Sequence, residues 1–142
     1  MASRAGKRLM AIDYGRVRIG LATCDELGIA TRPLGFVERK GSDAVAARTI
    51  AQLARQESIQ EIVIGLPLHE KGQEGENVRW VRAFLKELAK HWTLPVHEAD
   101  ERHTSWEAEA ALKEEGKWPA SKGQVDAKAA AILLRRWLDG EG

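Results

Sequence analysis

The chain has 142 residues, 44% of them hydrophobic and 30% charged, which suits one compact domain with a real core and is too short for two ordinary ones. Its net charge of +1 excludes assigning it to nucleic acid by bulk electrostatics. No apolar run approaches the ~20 residues of a bilayer span, and the lone Cys24 excludes an internal disulfide or a multi-cysteine zinc site.

Met1–Arg8 is basic but lacks the apolar stretch of a secretory signal, so a cytoplasmic protein without a membrane partner is expected. Leu9-Met10-Ala11-Ile12 reads as a strand ending at Asp13-Tyr14-Gly15, and Ile19–Cys24 follows too soon for a parallel crossover, so the two make an antiparallel hairpin. A third strand fits Ile29–Val37, with Pro33 suggesting a sheet edge or an irregular start. Ser42 can cap a helix whose Ala46, Ile50, Leu53 and Ala54 share one face. Glu61–Gly65 reads as a buried parallel strand, stopped by Leu66-Pro67 and followed by a loop through Gly72 and Gly75. The next helix carries Val78, Val81, Leu85 and Leu88, with Phe84 beside them. Leu94–His97 begins a last strand that ends near Asp100-Glu101.

Thr104-Ser105-Trp106-Glu107 has the spacing of a capping box and predicts a helix with Ala108, Ala111 and Leu112 inward, ending near Gly116. Trp118–Ser121 reads as a loop. The final helix is expected from about Gln124 to Leu138, its small residues Ala127, Ala130 and Ala131 suited to close packing on a sheet. The order β-β-β-α-β-α-β-α-α implies an α/β mixed sheet with helices on its faces, in a single domain over residues 1–142 with its core at about 8–138.

Charge is unevenly distributed. Arg4, Lys7, Arg8, Arg16, Arg18, Arg32, Arg39 and Lys40 make the first forty residues basic, whereas much of Glu98–Glu115 is acidic. A phosphate-binding rim around an acidic centre gives this pattern, and so does ordinary solvated surface. Asp13 closes the first strand, Asp100 and Glu101 close the last, and Asp126 is expected in the first turn of the final helix. If the first and last strands run parallel, their carboxyl ends form one ligand edge. Carboxylates gathered there repel unless a cation balances them or one stays protonated, and hard Mg²⁺ or Mn²⁺ ions suit such oxygen donors. Two ions would activate water and stabilise the leaving oxygen of a phosphodiester. Each acid also has an ordinary explanation: Asp13 as a turn residue, Glu101 in a surface pair with Arg102, Asp126 complementing a helix N-terminus. Their joint placement is what favours metal chemistry. The four histidines, His69, His91, His97 and His103, show no metal-ligand spacing. The five tryptophans could stack on bases, although Trp80 and Trp106 sit within helices where packing is the plainer role.

Asp13-Tyr14-Gly15-Arg16-Val17-Arg18-Ile19-Gly20-Leu21-Ala22 resembles the opening motif of the YqgF/RuvX family, Holliday-junction resolvases also described as pre-16S rRNA nucleases. Gly65-Leu66-Pro67-Leu68 with Gly72 and Gly75 is similar to its central loop, Asp100–Ser105 to its third motif, and Val125-Asp126 with Ala129-Ala130 to its fourth. Together they span about Arg8 to Leu138 in family order. The resemblance implies a ribonuclease H-like fold, three antiparallel strands plus two parallel, and hydrolysis of nucleic acid phosphodiesters with two divalent ions, Mg²⁺ or Mn²⁺. It puts Asp13, Glu101 and Asp126 in the catalytic and metal-binding places, with Asp100 as the substitute acid. Gly15, Arg16, Arg18, Arg102 and Thr104 fall at substrate-binding positions; Arg18 would contact phosphate, and Arg102 would orient the acids or grip phosphate. Gly15 and Gly20 would permit a tight hairpin and a close backbone approach. His103 departs from the apolar or aromatic residue more usual in the motif.

The implied partners are structured RNA, with ribosomal particles, or branched DNA. A junction resolvase would act as a symmetric dimer, and an rRNA nuclease could act as a monomer. Two readings of other classes remain: a nucleotide-binding phosphotransferase, which needs a second lobe that 142 residues cannot supply, and a non-catalytic nucleic-acid adaptor, which would gain nothing from clustered acids.

Overall fold

A computed structural model describes residues 6–67 and 75–140. Arg4 of the basic segment, and Leu68, His69 and Gly72 of the expected central loop, lie outside the described residues. The elements run β1 (Leu9–Asp13), β2 (Arg18–Cys24), β3 (Thr31–Glu38), α1 (Asp43–Gln56), β4 (Glu61–Leu66), α2 (Glu76–Leu88), β5 (Val96–Asp100), α3 (Thr104–Glu114) and α4 (Lys122–Leu138). This is the order expected from the sequence.

The strands form one sheet in the order β3-β2-β1-β4-β5. β3, β2 and β1 pair antiparallel, while β1, β4 and β5 pair parallel. Pro33 sits in β3 at the sheet edge, where a missing N–H costs little. Strand alternation sorts side chains between two layers. Met10, Ile12, Ile19, Leu21, Ile62 and Ile64 face α1 and α2, whose Ala47, Ile50, Val81 and Phe84 complete that core. Leu9, Ala11, Ala22, Val63 and Ala99 face α4, where Ala130, Ala131, Leu133 and Leu134 close the other core. The small face of α4 therefore lies against the sheet as its alanines predicted.

Helix starts follow local chemistry in two cases and depart from it in a third. The Ser42 hydroxyl accepts from the Val45 N–H to cap α1. Ser121 and Gln124 form a reciprocal capping box at α4, which starts the helix at Lys122 and not near Gln124. Asp126 consequently lies beyond the first turn, which contains no acid, so helix-dipole compensation does not account for it. The expected box at Thr104–Glu107 does not form: His103 is the N-cap, in the left-handed region at φ 68°, with no side-chain cap bond. Both residues of the expected box are committed elsewhere, the Thr104 hydroxyl donating to the Glu101 carbonyl and the Glu107 carboxylate accepting from Arg136 on α4. No helix among the described residues is long and apolar enough to cross a membrane.

Candidate active site

The carboxyl ends of β1, β4 and β5 share one edge of the sheet because these strands are parallel. On β1, Asp13 continues the Leu9, Ala11 series and so points to the α4 side. On β5, Ala99 faces the same side, and Glu101, two residues on, follows it. Asp13 pairs in register with Gly20, and the missing side chain of Gly20 is what lets α4 approach. A Cβ there would lie 2.2 Å from the Asp126 carbonyl oxygen. Gly65 does the same for the second acid, since a Cβ on it would lie 2.5 Å from Glu101 Oε2 and 2.8 Å from Glu101 Cβ. Two glycines thus make room for two acids.

Asp13 and Glu101 line a cleft of about 480 Å³ with Pro67, Asn77, Arg102, His103, Thr104, Ser105 and Trp106. Burial pushes the Asp13 carboxyl up to about 6, opposed by a hydrogen bond with Glu101 and reinforced by the charge of Asp126. Burial likewise raises Glu101 well above the ordinary carboxyl range, with the neighbouring Asp13 charge, their hydrogen bond and Asp100 adding to the shift. Two acids share a site where both cannot ionise cheaply. Glu101 Oε2 is nevertheless buried without a hydrogen-bond partner.

Asp126 borders this pair but is engaged by Arg18, whose Nε donates to Oδ2 at 3.2 Å. Burial raises its pKa, and the hydrogen bond and charge of Arg18, with Lys122, counter the rise. Among the described residues no three acidic, histidine or cysteine side chains already form a metal-holding group. The three acids expected to cluster are therefore a close pair with a third member held by arginine. Arg18, expected at a phosphate, is paired with Asp126.

Asp100 is not interchangeable with Glu101. It accepts from the Arg102 backbone N–H at 2.9 Å and from Arg102 Nε at 2.7 Å. Burial alone would raise its pKa, but these bonds and the Arg102 charge hold it below the ordinary value. Arg102 thus orients the outward acid, and Glu101 is the inward one. Thr104, expected to bind substrate, is buried, and its hydroxyl fixes the turn that carries Glu101. Gly15 closes the β1–β2 turn, where a Cβ would lie 2.3 Å from the Arg18 carbonyl oxygen. Arg16 is exposed, donates to the Tyr14 hydroxyl at 3.1 Å, and lies over Trp80 at 4.7 Å. Tyr14 in turn donates to Asp43, which also binds Arg39, tying the site's first turn to α1.

Sequence reasoning missed the packing role of Gly65 and the presence of Asn77 and Trp106 in the cleft. Gly65 had a signal, as a glycine within a strand marks a close approach. Trp106 had one too, because it falls opposite Thr104, Ala108 and Leu112, the buried stripe of α3.

A sequence model of the RuvX family, described as Holliday junction resolvase, matches residues 7–140. The chain belongs to this family. A relative of the RuvX chain from Anaeromyxobacter sp. (strain Fw109-5), named "Putative pre-16S rRNA nuclease", is 42% identical over 134 residues, covering 94% of this chain and 97% of the relative. One of the same name from Synechococcus elongatus is 41% identical over 133 residues, covering 92% and 87%. Among solved structures, Thermus thermophilus RuvC in complex with a Holliday junction substrate superposes on this RuvX chain with a TM-score of 0.61 at 16% identity, covering 94% of each. That likeness shows the fold, and the mixed sheet is the ribonuclease H-like arrangement expected from the sequence.

Proposed function

We propose that this chain is a divalent-metal-dependent nuclease that hydrolyses RNA phosphodiesters in the 5′-end maturation of pre-16S rRNA, with Asp13, Glu101 and Asp126 as its catalytic acids. The observation that carries the reading is the Asp13–Glu101 pair: two acids packed together at a ligand edge where burial disfavours their charged forms, with Glu101 Oε2 buried and unpartnered. A bare acid pair is destabilising, and a hard cation is the partner that both relieves the repulsion and satisfies the orphaned oxygen. The donor set fits Mg²⁺ or Mn²⁺.

Asp13 and Glu101 would hold the ion, and Asp126 would join them once Arg18 turns to another anion. When bound, such ions supply a nucleophilic water and neutralise charge on the phosphate and leaving oxygen. Arg18 is the side chain placed to exchange: its carboxylate partner is only part-buried, and a substrate phosphate offers the same charge-assisted bond. Arg102 keeps Asp100 turned outward, so the inward acid is not displaced by its neighbour. The domain as a whole is residues 1–142, working in the cytoplasm, with ribosomal precursor particles as partners. The choice of RNA follows the names of the curated relatives.

The family description and the RuvC likeness favour a second reading, resolution of four-way DNA junctions by a dimer. One experiment tests both. The protein is incubated with an RNA mimicking an immature rRNA 5′ end and with a synthetic four-way junction, each with Mn²⁺, Mg²⁺ or chelator. The proposal expects metal-dependent cutting of the RNA, reduced roughly 100-fold or more by Asp13→Asn. Cutting of the junction alone would favour the resolvase. Binding without cutting of either would make the chain an adaptor.

A further inference from the structure

Trp106 is 72% exposed and lines the same cleft as Asp13 and Glu101. Among the described residues, neither hydrophobic core includes this indole. The buried residues of α3 are Thr104, Ala108 and Leu112, and Trp106 falls on the opposite side of that helix. Trp is also a poorer helix former than Ala or Leu, and solvating its large apolar surface forfeits what burial would give. The other strongly exposed apolar residues, such as Leu27, Ile29 and Leu94, do not line this cleft. Trp118, the next most accessible tryptophan, is 43% exposed and has the Lys113 ammonium over its ring at 4.7 Å.

A second groove adjoins the cleft beside Trp106. Ser105 lines both the acid cleft and that groove, which contains the cations Arg18 and Lys122, the acids Glu109 and Asp126, and Trp118. A strand entering this trough would meet Lys122, Arg18 in its pair with Asp126, and the open face of Trp106. Flat π faces take up nucleobases of any sequence, provided the base is not already stacked and paired.

Resting on the nuclease reading above, we propose that Trp106 is a stacking platform for an unpaired nucleobase next to the phosphate positioned at Asp13 and Glu101. The substrate class is then single-stranded or frayed nucleic acid at the cut site, not continuous duplex. Trp106 acts on selection and placement of the strand, and the acids act on the phosphate.

The test uses the full chain in an Asp13→Asn background with Mg²⁺ present, so that binding is read without cutting. The probe is a single-stranded RNA 12-mer carrying 2-aminopurine, compared with the same strand annealed in a duplex. The proposal expects the reporter to be quenched on binding the single strand. Trp106→Ala should abolish that quenching and weaken binding by about 5- to 150-fold, the range for loss of one stacked base. Trp106→Phe should retain most of both, and Leu94→Ala, at the other end of β5, should change neither. Duplex affinity should be insensitive to Trp106. Trp106→Ala binding and quenching like its parent would overturn the stacking site while leaving the nuclease reading intact. Failure of the parent to bind either RNA would overturn that reading and the platform with it. Because Trp106 is exposed, its variants should keep the parental melting temperature, which separates a lost platform from a lost fold.

Discussion

At the scale of single residues, the Asp13 carboxyl is held in surroundings that solvate its charge poorly, beside a second acid. Its folded pKa of about 6 lies above the ordinary 3.8, so the folded chain binds the extra proton in that window. Stability from this group is therefore full at low pH and is lost as pH rises through about 6. The loss is on the order of 2–3 kcal/mol in metal-free protein. Asp13→Asn lacks the titration, so denaturant melts should show the variant gaining on its parent between about pH 4 and 6 and holding the gain above. A difference that stays flat across that range would mean the carboxyl is not destabilised. The positions of Asp13, Glu101 and Asp126 as an acid set were legible in the sequence from strand ends and motif order. What was not legible was which member of Asp100-Glu101 points inward, because a period of two needs a known neighbour to fix its phase. Ala99 against α4 supplies that neighbour.

At the scale of elements, the site depends on two close approaches and one strained turn. Gly65→Ala would drive a methyl against Glu101 Oε2, which can swing aside, and against Glu101 Cβ, which cannot, so activity and stability should both fall. Gly20→Ala meets the backbone of α4 at Asp126, which cannot swing, and should cost about 1–3 kcal/mol of stability in chemical melts. Gly65→Ala that keeps full activity, or Gly20→Ala that melts like its parent, would contradict these two close approaches. His103 holds a left-handed conformation at the head of α3. His103→Gly should then stabilise the fold by roughly 1 kcal/mol, read from the same melts, by removing the Cβ penalty. The capping pattern at Thr104–Glu107 misled because its hydroxyl bonds the Glu101 carbonyl in the preceding turn and its carboxylate bonds Arg136 on α4, a tertiary partner. Local pattern did suffice at Ser42, where the hydroxyl has no such competitor among its hydrogen bonds.

At the scale of the whole molecule, the order β3-β2-β1-β4-β5 brings residues 13 and 101 to one edge by parallel pairing through β4. The element order was readable because hairpin spacing and strand-helix alternation each admit few topologies. The Arg18 latch on Asp126 was not readable, since those residues are 108 positions apart and meet only through α4 crossing Gly20. A cation that binds the folded chain alone must raise its melting temperature. At a hundredfold excess over Kd the gain is about 2.7 kcal/mol, or roughly 5–10 °C for a domain of this size. Glu101→Gln should lose most of that rise. The central claim is that the Asp13–Glu101 pair is built for a divalent ion, and calorimetric titration of Mn²⁺ into the protein at pH 6 tests it most directly. Saturable binding that releases protons and weakens at least roughly tenfold in Asp13→Asn is the predicted result. Mn²⁺ binding that is absent from the parent, or unchanged by Asp13→Asn, would contradict the account.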